Sequence, residues 1–120
     1  MTTLSEGKYG EDLACVYLKK IGYKIVERNF RIRGGEIDII AIDKQTLVYV
    51  EVKTRSSHRF GLPEEAVTYR KINFLTRAAK FYRNSEKHLN LPKLERIDVL
   101  AIDLIDPQNP RYNLIQNAQV

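Results

Sequence analysis

The sequence predicts one α/β domain over residues 1–120, a mixed β-sheet flanked by helices in the order α-β-β-β-α-β. Three observations lead there. Apolar residues recur at helical steps over Ser5–Ile21 and again after Pro63. Between these segments lie three strand-like runs, two of them dense in Ile and Val. A long helix followed by a further strand implies a crossover, and so a parallel pair added to an antiparallel meander.

In the first helix Leu13, Ala14, Tyr17, Leu18 and Ile21 form the apolar stripe, Ser5 is the expected N-cap and Gly22 the C-terminal glycine. Gly7 and Gly10 each cost about 1 kcal/mol relative to alanine inside a helix. They are therefore expected where the first turns pack close to another backbone. "YKIVERNFRI" (Tyr23–Ile32) alternates as a strand. Ile37–Asp43 and Thr46–Lys53 are the next two, joined by Lys44 and Gln45 in a short turn without the favoured Asn-Gly chemistry. Pro63 is expected to open the second helix, with Glu64 and Glu65 near its positive end. That helix should reach about Arg83 and bury Val67, Phe74, Leu75, Ala78, Ala79 and Tyr82. "RIDVLAIDL" (Arg96–Leu104) is a fourth strand and "RYNLI" (Arg111–Ile115) a short last one. Ser56–Pro63 and Asn84–Lys93 read as loops from their Ser, Gly, Pro and Asn content.

At 120 residues and 43% hydrophobic content, the chain can build a core without disulfides or structural metal. Cys15 is the only cysteine, which excludes an internal disulfide framework and a cysteine-cluster metal site and suits a reducing compartment. The first residues lack the basic and apolar regions of a signal peptide, and no apolar run is long enough for a bilayer. A cytoplasmic location is the expectation. A net charge of +5 leans toward polyanionic partners without naming one.

The chemistry concentrates in "GEIDIIAIDKQTLVYVEVKTR". If Asp43 faces Thr46 across a two-residue turn, Asp38 lies opposite Glu51 and Glu36 opposite Lys53. Opposed residues share a face. Glu36, Asp38, Glu51 and Lys53 should then project from one side, far from the turn. Toward the turn the same side becomes apolar through Ile40, Ile42, Leu47 and Tyr49. The other side carries Ile37, Ile39, Ala41, Val48, Val50 and Val52. Acids gathered at one corner of an apolar sheet repel each other, and a divalent cation removes the conflict. Hard oxygen ligands suit Mg2+ or Mn2+, and an adjacent lysine can orient water or hold a phosphate oxygen. A surface salt bridge between Glu36 and Lys53, with Asp38 and Glu51 at exposed strand ends, is the plain alternative.

An acid, twelve intervening residues and then E-x-K resembles the PD-(D/E)xK nuclease superfamily, the restriction-endonuclease-like fold. Asp38 matches its first acid, Glu51 its second and Lys53 its lysine; Ile37 stands where the name proline would be. More narrowly, "GKYGEDLACVYLKKIGYKIVERNFR", "GEIDIIA", "VYVEVKTR" and "RIDVLAI" are similar to the small bacterial YraN-like family, related to the archaeal Holliday-junction resolvases. The resemblance covers about Gly7 to Asp103. It implies a Mg2+-dependent nuclease core acting on DNA, including branched DNA. It adds Glu11, on the first helix, to the metal ligands Asp38 and Glu51, and implies a homodimer because the resolvases cut two strands symmetrically. It also makes Lys71 of the second helix an assisting residue, while Glu36 is expected to tune Lys53 or serve a second metal.

Arg28, Arg31, Arg33, Arg55 and Arg59 flank the acidic corner in sequence and could grip phosphates. Arg70, Arg77 and Lys80 share a helix stripe with Asn73 and Asn84, either a solvated face or a track for a duplex backbone. Asp98 is expected to pair with Arg96 or another arginine. His58 and His88 read as surface residues and Cys15 as buried packing. Tyrosines lie among basic residues near Tyr9, Tyr23, Tyr69 and Tyr82, and packing accounts for most of them better than base stacking. Two further function classes remain open: a nucleic-acid-binding module that kept the fold without catalysis, and a structural partner of other proteins.

Overall fold

The computed structural model describes residues 4–59, 61–63 and 67–118, with side chains from Gly7 onward. Its elements are α1 (Leu4–Lys20), β1 (Lys24–Ile32), β2 (Gly35–Asp43), β3 (Thr46–Arg55), α2 (Tyr69–Ser85), β4 (Leu94–Asp103) and β5 (Arg111–Ile115). The expected order is present, with Arg111–Ile115 as the added last strand. The strands form one sheet in the order β1-β2-β3-β4-β5. All neighbours are antiparallel except β3 and β4, which run parallel. α2 spans the crossover between those two strands, the connection a parallel pair requires.

A helix covers each face. On one side Ala14, Cys15 and Leu18 of α1 pack on Ile39, Ala41, Val48, Val50, Leu100 and Ile102. On the other, Ile72, Phe74, Leu75, Ala78, Ala79 and Tyr82 of α2 pack on Ile37, Ile40, Leu47 and Tyr49. β2 and β3 are covered on both faces, which is why they read as continuous apolar runs. Burying each Leu or Ile fully contributes about 1.5–3 kcal/mol, so these central strands are the most firmly held part of the sheet.

The helix ends have local causes. α1 stops in a left-handed turn at Gly22 (φ 103). There Tyr23 N donates to Leu18 O and Gly22 N to Lys19 O, the paired bonds of a glycine C-cap. At the other end α1 already includes Leu4, so Ser5 lies inside the helix and is not its cap. Gly10 does pack closely, but against a side chain where a backbone was expected: a methyl there would collide with the Thr54 hydroxyl of β3. Gly7 does not, since nothing lies within 4 Å of where its Cβ would be.

α2 begins later than Pro63. Thr68, in extended backbone, caps it by accepting a 3.2 Å hydrogen bond from Lys71 N. Val67 is half-buried against the α2-side cluster but precedes the helix. Glu64 and Glu65 lie outside the described residues. Asp98 is buried and fully partnered. Arg96 Nε donates to its Oδ1 (2.9 Å), Asn117 N to the same oxygen (3.0 Å) and Tyr23 Oη to Oδ2 (2.8 Å). Arg96 also reaches Asp43 Oδ2 at 2.8 Å, so this carboxylate belongs to a structural network.

Candidate metal centre

Asp43 pairs with Thr46, as the two-residue turn requires, and Lys44 takes a left-handed conformation (φ 56). The β2–β3 pairing runs from there to Ile39–Val50 and stops. Across β1, Arg28 pairs with Ile39 and Phe30 with Ile37, while Asn29 between them is left-handed (φ 54). Strand alternation is broken at this point. Ile39 packs on the α1 side and Ile37 on the α2 side, although strict alternation would put both on one face. The expected single row of Glu36, Asp38, Glu51 and Lys53 is therefore corrected. The charged residues meet where the two central strands part, in a gap reached by both helices.

A cavity of about 300 Å³ opens there, lined by Gly7, Glu11, Glu36, Asp38, Glu51, Val52, Lys53, Thr54, Arg55 and Lys71. All six site residues expected from the sequence line it. Glu11, Glu36 and Asp38 each offer a carboxylate oxygen within 4.8 Å of the others. Glu36 thus joins Glu11 and Asp38, whereas the hairpin register had put it opposite Lys53. Glu51 approaches from the α2 side: its Oε2 lies 3.5 Å from Lys53 Nζ and 3.5 Å from Lys71 Nζ. Only 2% of Glu51 is exposed, and its Oε1 is buried with no hydrogen-bond donor among the described residues.

Electrostatics mark the same place. Asp38 accepts a 2.8 Å hydrogen bond from Val52 N, which favours its charged form. Burial opposes that and dominates; the adjoining Glu51 carboxyl and, more weakly, Glu11 add to it, and the Asp38 pKa is pushed up to about 8. A proton held by Asp38, or a cation between the acids, would each relieve this repulsion. Oxygen donors from several acids, an orphaned buried carboxylate oxygen and a cavity with room for water suit a hard divalent ion. Glu11, Glu36, Asp38 and Glu51 are the residues that could hold it.

Asn29 is the component that the sequence reading missed. Its Nδ2 donates to Glu11 Oε1 at 2.8 Å and to Glu36 Oε1 at 3.3 Å, tying α1 to β2 across β1. Asparagine tolerates the left-handed region better than most residues, and its place inside an otherwise alternating strand was the available signal. The flanking arginines divide. Arg28 is engaged by Asp12 (2.8 Å) and Glu11 (3.8 Å), and Arg31 sits 3.2 Å from Glu36 Oε2. Arg33 and Arg59 are exposed and do not line the cavity. Arg55 does, and its Nε is buried with no acceptor among the described residues. His58 lies 2.6 Å from Asp103, away from the acids, and Cys15 is a buried thiol whose pKa burial raises.

Fold and site together define a small mixed α/β protein whose sheet ends in a cavity of carboxylates and lysines. The profile described as "Uncharacterised protein family UPF0102" matches residues 10–102. A UPF0102 protein of Geobacter sulfurreducens is 46% identical over 93% of this chain and 86% of its own. One from Syntrophomonas wolfei is 48% identical over 93% and 95%, and one from Clostridium acetobutylicum 47% over 93% and 91%. The chain belongs to the UPF0102 family. Among the described residues no helix is long and apolar enough to cross a membrane.

Proposed function

We propose that the protein is a metal-dependent nuclease of the PD-(D/E)xK superfamily that hydrolyses phosphodiester bonds in DNA, branched or structured DNA included. One observation carries the reading. Four carboxylates from α1, β2 and β3 converge on a single cavity, and the two most buried, Asp38 and Glu51, leave one oxygen orphaned and one carboxyl pushed toward its neutral form. Such an arrangement is unfavourable by itself and becomes favourable around a divalent cation.

In this reading Asp38, Glu51 and Glu11 would hold Mg2+ or Mn2+, with Glu36 beside them. When bound, the ion supplies Lewis-acid polarisation of a phosphate and lowers the pKa of a water. The chain's own groups do the rest. Lys53 offers an ammonium on the cavity wall to orient the attacking water or to stabilise charge developing on phosphate oxygen. Lys71 of α2 pairs with the same Glu51 oxygen as Lys53. Arg55, with a buried donor lacking an acceptor, would take a phosphate oxygen next to the scissile bond. Asn29 fixes Glu11 against Glu36.

Phosphodiester cleavage of branched and linear DNA, with Mg2+ or Mn2+, tests this in wild type, Asp38→Ala and Lys53→Ala. The expected outcome is metal-dependent cleavage by wild type alone, with each substitution costing at least a hundredfold in rate. Equal cleavage by all three would assign the activity to a contaminant. Salt-sensitive binding without cleavage, unchanged by Lys53→Ala, would reduce the protein to a binding module.

A further inference from the structure

The same helix that brings Lys71 to the cavity carries a charge pattern that the site does not use. α2 holds Arg70, Lys71, Arg77, Lys80 and Arg83 and no acid at all. Two of these are neutralised, Lys71 by Glu51 (3.5 Å) and Arg83 by Glu95 (2.9 Å). Arg70, Arg77 and Lys80 have no ion pair among the described residues and stand on the exposed side with Asn73 and Asn84. At 100° per residue these five fall within roughly a quarter of the helix circumference, opposite the buried stripe Ile72–Leu75–Ala79. From Arg70 to Lys80 the row is about 15 Å long at 1.5 Å per residue. Beside it a shallow cavity of about 590 Å³ is lined by Tyr69, Arg70, Asn73, Thr76 and Arg77, all side chains able to donate to an oxyanion.

We propose that this face of α2 is the docking track for the phosphate backbone of a nucleic-acid duplex. The proposal rests on the nucleic-acid reading above and adds where the polymer lies. A straight, rigid row of cations and amide donors matches a regular backbone, and such contacts position a duplex without reading its bases. A single strand would instead need aromatic rings within the row to stack on its bases. Here Tyr69 and Phe81 flank the row on either side and leave its centre to Asn73, Arg77 and Lys80.

The test is fluorescence anisotropy of the full chain with a labelled random-sequence duplex and with a single strand of equal length, over a salt series without divalent metal. Compared are wild type, Arg77→Ala, the triple Arg70→Ala/Arg77→Ala/Lys80→Ala, and a control triple, Lys19→Ala/Lys20→Ala/Lys44→Ala, that removes the same number of charges from exposed positions elsewhere. The expected result is duplex affinity more than tenfold weaker in the α2 triple. The slope of log K against log salt should be shallower by roughly 0.9 in Arg77→Ala and roughly 2.7 in the α2 triple. The control triple should stay near wild type. Equal weakening by both triples would make net charge the cause and overturn the track. So would an unchanged α2 triple, or loss confined to the single strand. Absence of cleavage with duplex binding lost in the α2 triple would sink the nuclease reading and leave the track standing.

Discussion

Asp38 concentrates the conflict that the site is built around. Its carboxyl, buried beside Glu51, titrates near 8, against about 3.9 for an unfolded aspartate. The folded chain thus holds this proton more tightly than the unfolded one. The stabilisation this gives is complete below pH ~4 and disappears as pH rises through about 8. Thermal unfolding of wild type should therefore show a Tm that falls over that window, and Asp38→Asn should flatten the fall and melt higher than wild type at pH 8. A fall of equal steepness in Asp38→Asn would place the titration elsewhere. Asn29 gives a second test at this scale. Asn29→Gly keeps the left-handed backbone and removes the amide that bridges Glu11 and Glu36, so Mn2+ affinity should drop roughly tenfold or more, as losses of such supporting bonds do. Asn29→Ala should add about 1–2 kcal/mol of backbone strain, read as a lower Tm that the glycine variant does not share. Asp38, Glu51 and Lys53 were singled out by residue type and spacing and Glu11 by the family resemblance, and all four line the cavity. Asn29 was not, because its role depends on a backbone angle that composition does not encode.

The elements owe their placement to a few close contacts. Gly10 lets α1 lie against Thr54 of β3, and that approach sets the height at which Glu11 enters the cavity. Gly10→Ala gains up to about 1 kcal/mol of helix propensity but overpacks the contact by about 1–3 kcal/mol, so it should destabilise on balance. Removing the obstructing side chain in Gly10→Ala/Thr54→Ala should recover most of the loss in chemical denaturation. Gly7→Ala, with open space around it, should leave stability unchanged or raise it by about 0.5–1 kcal/mol. If Gly10→Ala proved the more stable of the two, the close contact would not be what positions α1. Helix bodies were readable from apolar spacing, and their starts were not. Pro63 and Ser5 both have the chemistry of a helix start, but Thr68 provides the hydroxyl that meets Lys71 N, and α1 extends past Ser5.

For the molecule as a whole, the element order and the presence of a parallel pair were legible because a long helix between strands admits few topologies, while the strand that β4 joins was not. The faces of the central hairpin were legible from Ile39 to Asp43 and failed beyond. The left-handed Asn29 and the end of the β2–β3 ladder move Ile37 to the α2 side and open the gap that the acids line. A strictly regular sheet would have closed that gap with paired backbone. The site therefore exists because the sheet is irregular at one end, with α1 and α2 each contributing a residue from opposite faces. Calorimetric titration of Mn2+ into wild type and Asp38→Asn at pH 7 decides whether this gap is a cation site. Wild type should bind saturably, with a proton released from Asp38 and detectable by changing the buffer's ionisation enthalpy, and Asp38→Asn should bind at least tenfold more weakly. No binding by wild type, or the same affinity in both proteins, would contradict it.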